Sequence, residues 1–102
     1  MYTRLVEPKQ RRATADGLRS LWLYWTWDKD VANDVRDECR ERIVAWLAHA
    51  GFPGYVFRSS RTGEQLRIRH AEIIKWSRAI VDACSLFIGS NRAGPLRTGL
   101  AG

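Results

Sequence analysis

Two aromatic residues and a set of arginines are the side chains in this sequence best suited to a chemistry. In Arg19-Ser-Leu-Trp-Leu-Tyr-Trp-Thr-Trp27, read as a strand, Leu21, Leu23, Trp25 and Trp27 line one face, and Trp22, Tyr24 and Thr26 the other. A second run, Gln65-Leu-Arg-Ile-Arg69, alternates strictly, with Arg67 and Arg69 opposite Leu66, Ile68 and His70. If the two strands are neighbours, Trp22 and Tyr24 share a surface with Arg67, Arg69, Gln65 and Arg58. Flat rings beside guanidinium groups suit unpaired nucleic acid, because bases stack on the rings while arginine neutralises phosphate. Arg61, in the adjoining turn, and the N-terminal Arg4, Lys9, Arg11 and Arg12 extend this basic set. Residues 19–27 also fit a helical period through Leu18, Leu21, Trp22 and Trp25, and in that case the surface would not exist.

Catalytic chemistry has less to stand on. Asp28 and Asp30 end the aromatic run, where carboxylates can hold Mg²⁺ beside phosphate, and Glu64 and Lys75 are conceivable partners. No spacing ties these four together, and capping of the following helix already accounts for the aspartates. Cys39 and Cys84 fall on the apolar stripes of two helices, as small core residues do. His49 is near a helix end and His70 on the apolar side of a strand, where a satisfied, half-buried imidazole is the ordinary outcome. Phosphate loops, nucleophile elbows and HExxH motifs are absent. A non-enzyme with no cofactor and no metal is expected.

The string Gly51-Phe-Pro-Gly-Tyr-Val-Phe57 resembles in part the RNP1 string of RNA-recognition motifs, a glycine–aromatic alternation on a strand. It departs at Pro53, and it follows the first helix where RNP1 belongs one strand later. No residue role is carried over from it.

The scaffold follows from period and punctuation. Val31, Val35, Cys39, Ile43, Trp46, Leu47 and Ala50 form one helical stripe over residues 29–50, with Asp28 or Asp30 as N-cap, an outer Glu38–Arg42 pair, and Gly51-Phe-Pro53 as the stop. Residues 55–59 and 65–69 form a hairpin about Arg61-Thr-Gly-Glu64, in which Gly63 supplies a positive φ. A second helix over residues 71–88 buries Ile73, Trp76, Ser77, Ile80, Cys84, Phe87 and Ile88. The β-α-β-β-α order predicts an α+β domain, a half or variant of the split β-α-β (ferredoxin-like) arrangement. Two helices would cover one face of a three- to four-stranded, mainly antiparallel sheet. Residues 1–16 read as a basic arm with a short edge strand at 2–6, residues 17–89 as the single domain, and residues 90–102, rich in glycine, as a flexible tail. The last strand of the arrangement is then missing unless the tail supplies it, and a bare sheet edge could pair with a second copy.

Composition limits the alternatives. The chain has 102 residues, 45% hydrophobic and 27% charged, which excludes wholesale disorder and fibrous classes. Its net charge is +6, with 17 Lys and Arg against 11 Asp and Glu. The charge is uneven: +3 over residues 1–20, −2 over 21–57, +4 over 58–78 and +1 beyond. Fourteen of the basic residues are Arg, which codon usage could produce, although codon usage would not cluster them. The longest uncharged apolar run, Leu21 to Trp27, is far short of the ~20 residues that span a bilayer, and no signal peptide is readable. A small, cytoplasmic, basic protein that binds single-stranded nucleic acid is the expectation. The alternative is an accessory, inhibitor or assembly subunit that docks on another protein through the same Trp, Tyr and Arg residues, since these types are enriched at binding hot spots.

Overall fold

The computed structural model describes residues 4–6, 19–89 and 96–101. The elements are β1 (Arg4–Val6), β2 (Arg19–Thr26), α1 (Asn33–Ala50), β3 (Tyr55–Ser59), β4 (Gly63–His70), α2 (Ile73–Gly89) and β5 (Arg97–Ala101). They build a five-stranded sheet in the order β1-β5-β2-β4-β3. From β5 to β3 every neighbouring pair is antiparallel, and β1 joins the β5 edge in parallel. With both helices packed on one face, this is an α+β sheet of the ferredoxin-like kind.

Residues 19–26 are therefore a strand, and the central one, with Trp27 just past its end. Arg19 to Thr26 runs in register against His70 to Gly63 on one side, and Ser20 to Tyr24 against Ala101 to Arg97 on the other. Hydrogen-bonding partners on both sides override the helical period that the same residues carry. The strand's alternation then assigns the faces: Leu21, Leu23 and Trp25 are buried, and Trp27 just beyond them is too.

The core lies between the sheet and the helices. Leu21, Leu23, Leu66 and Ile68 from β2 and β4 meet Cys39, Ile43 and Leu47 of α1 and Ile73, Ile80, Cys84 and Ile88 of α2. Trp25 stands edge-on to both Trp27 and Phe57, with centroids 6.2 and 6.3 Å away. The C-terminus of α1 closes as its sequence implies. Gly51 adopts φ +90°, and Phe52 N–H donates to the Leu47 carbonyl at 2.8 Å, so the chain turns and buries Phe52. The outer Glu38–Arg42 pair forms at 3.1 Å.

Several local expectations are corrected. The helix begins later than residue 29: its N-cap position is Ala32, without a side-chain capping bond, and neither Asp28 nor Asp30 occupies that position. Gly63 is not a positive-φ turn residue but the first residue of β4. Glycine is required there because a Cβ would stand 2.5 Å from the Trp25 carbonyl oxygen on the neighbouring strand. Trp76 is not core; it is 41% exposed, resting edge-on against Phe52 at 6.0 Å. Residues 97–101 of the expected tail are β5, which supplies the strand that the sequence order lacked. Thr98 of this strand, and Leu96 just before it, are buried on the helices' side of the sheet. The expected edge strand at 2–6 is present as β1 over Arg4–Val6.

Candidate nucleic-acid interface

The face of the sheet away from the helices is built by the residues that alternate with the core. Across it, Gly99 of β5 is paired with Trp22 of β2, Trp22 with Arg67 of β4, and Arg67 with Val56 of β3. One step along, Arg97, Tyr24, Gln65 and Arg58 form the next row.

The aromatic pair is ordered by this pleat. Trp22 and Tyr24 are two residues apart on one strand, and their rings lie within 9° of parallel, with centroids 6.4 Å apart. The Arg67 guanidinium is 5.2 Å from the centre of the Trp22 ring, a cation–π contact that fixes both side chains. Gln65 Nε2 donates to the Tyr24 hydroxyl at 3.3 Å. Tyr24 is 42% and Val56 45% exposed, so the platform is open to solvent.

The described strand residues give this face charges of one sign. The strand residues that present to it include Arg58, Arg67, Arg69 and Arg97 and no aspartate or glutamate. The ion pairs among the described residues instead involve Arg40, Arg42, Lys75 and Arg78 on the helices. Hollows lined by described residues indent this surface. One of about 480 Å³ is lined by Trp22, Tyr24, Arg97, Thr98, Gly99 and Leu100. A second, of about 510 Å³, continues past Tyr24 and Arg97 to Arg58, Gln65 and the hairpin turn. A smaller one of about 120 Å³ lies between Trp22, Val56, Arg58, Gln65 and Arg67.

Five of the basic and aromatic residues singled out from the sequence thus share one face, Trp22, Tyr24, Arg58, Arg67 and Arg69, with Gln65 in the same rows. Arg61 does not join them. It borders a separate crevice on the helix side with Asn33, Arg36 and Arg40, and its carbonyl accepts from Arg36 Nη1 at 2.7 Å. Arg4 is on β1, in register with Arg97. Lys9, Arg11 and Arg12 lie outside the described residues. Arg97 and Gly99 are absent from the sequence-derived candidates, because they belong to a stretch whose glycines and low apolar content read as a tail.

The groups weighed for catalysis have other engagements. The Glu64 carboxylate is buried on the opposite side of β4, accepting from Trp27 Nε1 at 3.0 Å, Arg40 Nη1 at 2.9 Å and Ser59 Oγ. Lys75 pairs with Glu72 at 3.7 Å. His70 Nδ1 accepts the Glu72 backbone N–H at 3.0 Å at the entry to α2, its ring edge-on to Phe52. Burial pushes the Cys84 thiol up to about 12. Cys39 is also raised, chiefly by burial, and its Sγ is 3.5 Å from the Phe87 carbonyl. Both cysteines are thiols and not a disulfide. Among the described residues no group of three His, Cys, Asp or Glu side chains is placed to hold a metal ion. No helix among them is long and apolar enough to cross a membrane.

No protein-family model matches the sequence, and no curated protein does. Among solved structures the chain is similar to the crystal structure of a DUF3240 family protein from Shewanella baltica. That match has 21% identity and a TM-score of 0.43, over 80% of this chain and 86% of that one.

Proposed function

We propose that this protein is a non-catalytic, cytoplasmic binder of single-stranded nucleic acid, and that the open sheet face is its binding surface. One observation carries the reading. Trp22 and Tyr24 present parallel rings on a face with four arginines and no strand carboxylate. Such a face offers what a single strand needs: π-surfaces for unpaired bases and positive charge for the phosphates between them. Duplex bases are already stacked on each other, so a duplex can use only the charge.

The test is binding of a labelled single strand and the matching duplex at two salt concentrations. With four phosphates neutralised at a slope of about −0.7 each, affinity for the single strand falls roughly 50-fold between 50 and 200 mM salt. Arg67→Ala with Arg69→Ala, both off the core, makes the slope shallower by about 1.4 and leaves the domain folded. Absence of binding at low salt, or binding indifferent to salt, refutes the proposal. A protein partner captured through Trp22 or Tyr24 and resistant to nuclease would then assign the same face to protein docking.

A further inference from the structure

The binding face has an asymmetry that its arginines alone do not explain. On the β4 side of Trp22 the space is taken by the Arg67 guanidinium, 5.2 Å from the ring centre. On the β5 side, the residue in register with Trp22 is Gly99. Thr98 before it is buried on the helix side of the sheet, so strand alternation turns residue 99 toward the open face. A side chain there would stand beside the indole; glycine leaves a hollow of about 480 Å³, bounded by Trp22, Tyr24, Arg97, Thr98, Gly99 and Leu100. That volume is within the roughly 300–1,000 Å³ of small-ligand sites.

Resting on the function proposed above, we infer that the Gly99 hollow is a subsite for one unpaired nucleobase, with Arg97 holding the adjoining phosphate. The lining matches the two halves of a nucleotide. Trp22 and Tyr24 give an apolar aromatic wall for a base. Arg97 is at the rim and also lines the neighbouring hollow, which runs on to Arg58. A strand whose base occupies the first hollow therefore has its next phosphate between two guanidinium groups, and its path crosses the sheet from β5 toward β3. Specificity for single strands follows, because a paired base cannot enter a recess on the sheet surface.

The experiment titrates the ¹⁵N-labelled protein with an oligothymidylate of about six nucleotides, within the usual span of single-strand sites. The Gly99 and Arg97 amides are expected to shift together with the Trp22 indole N–H. Gly99→Val, checked for folding by circular dichroism, fills the hollow and lowers affinity roughly 5- to 150-fold, the range for loss of one stacked base. Arg97→Gln, an exposed change that does not touch the core, makes the salt slope shallower by about 0.7. If the wild-type protein binds the oligonucleotide while the Gly99 amide stays still and Arg97→Gln keeps the full slope, the subsite is refuted and the broader function stands. If the wild-type protein does not bind it at low salt, both fall. Should Gly99→Val fail to fold, the amide shifts and Arg97→Gln decide.

Discussion

Removing Arg40 should damage this protein more than removing the carboxylate it holds. Among the described residues Glu64 is the buried charged side chain, 1% exposed, and that of Arg40 is 25% exposed. Arg40→Ala leaves the carboxylate with two neutral donors, Trp27 Nε1 and Ser59 Oγ, and no opposite charge at hydrogen-bonding distance. Breaking a buried pair by deleting one partner costs about 3–5 kcal/mol. Here the crevice of about 440 Å³ bordered by Arg40 and Glu64 admits water to the vacated position, which lowers the penalty. The expected loss is about 2–3 kcal/mol, or roughly 10–15 °C in Tm for a domain of this size. Glu64→Gln behaves differently. The amide oxygen still accepts a hydrogen bond, and Arg40 keeps both its partner Asp37 and an exit to solvent, so about 1 kcal/mol is lost. Adding Glu64→Gln to Arg40→Ala removes the stranded charge and should restore about 1–2 kcal/mol. Urea unfolding followed by tryptophan fluorescence and thermal melts measures all four proteins. If Arg40→Ala remains within about 0.5 kcal/mol of wild type, or the double variant is no more stable than Arg40→Ala, the ion pair does not hold this end of the sheet as argued.

Two further outcomes follow from other parts of the core. Gly63→Ala places a Cβ 2.5 Å from the Trp25 carbonyl, a backbone atom that cannot rotate away, and should cost about 1–3 kcal/mol in a urea titration. An alanine variant as stable as wild type would mean that β2 and β4 are not so close there. Cys84 has its thiol raised by burial from 9.0 to about 12, so its effect on stability is constant below pH 9. Above that the unfolded chain ionises this thiol while the folded protein does not, and stability declines as pH rises toward 12. Cys84→Ala should flatten that decline in melts taken between pH 8 and 11; an unchanged slope would assign it to other groups.

How much of this could be read from the sequence depended on whether local pattern or distant pairing decided each element. Leu66, Ile68, Arg67 and Arg69 alternate with a period of two, and Cys39, Ile43 and Leu47 repeat with a helical one, so faces and stripes were legible before any contact was known. The aromatic run was legible only in part, since its apolar residues satisfy both periods and its two neighbouring strands are what choose. β5 had almost no local signal. Arg97-Thr-Gly-Leu-Ala101 holds a glycine and one large apolar residue, and it is a strand because the β2 edge beside it offers unpaired backbone groups. The candidate site shares this division: Trp22, Tyr24, Arg58 and Arg67 were found by alternation, whereas Arg97 and Gly99 came with a strand the pattern did not announce. Gly63 shows a third limit, since a glycine before a strand looks alike whether it is needed for φ or for close approach. Trp76 shows a fourth: 3.6-residue spacing places it at the margin of a stripe, where burial depends on how far the sheet reaches.

The separation of charge between the two sides of the sheet has a kinetic side. On α1 three arginines face four carboxylates, and on α2 two cations face one, so the helix layer is close to neutral, while the strands present four arginines and no carboxylate on the opposite face. A molecule charged in this way has a direction. In the field of a polyanion it is turned before contact, so that collisions arrive with the arginine side leading and fewer of them are wasted. Added salt then acts first on how fast a complex forms, shortening the distance over which the turning begins, and only afterwards on how long the complex lasts.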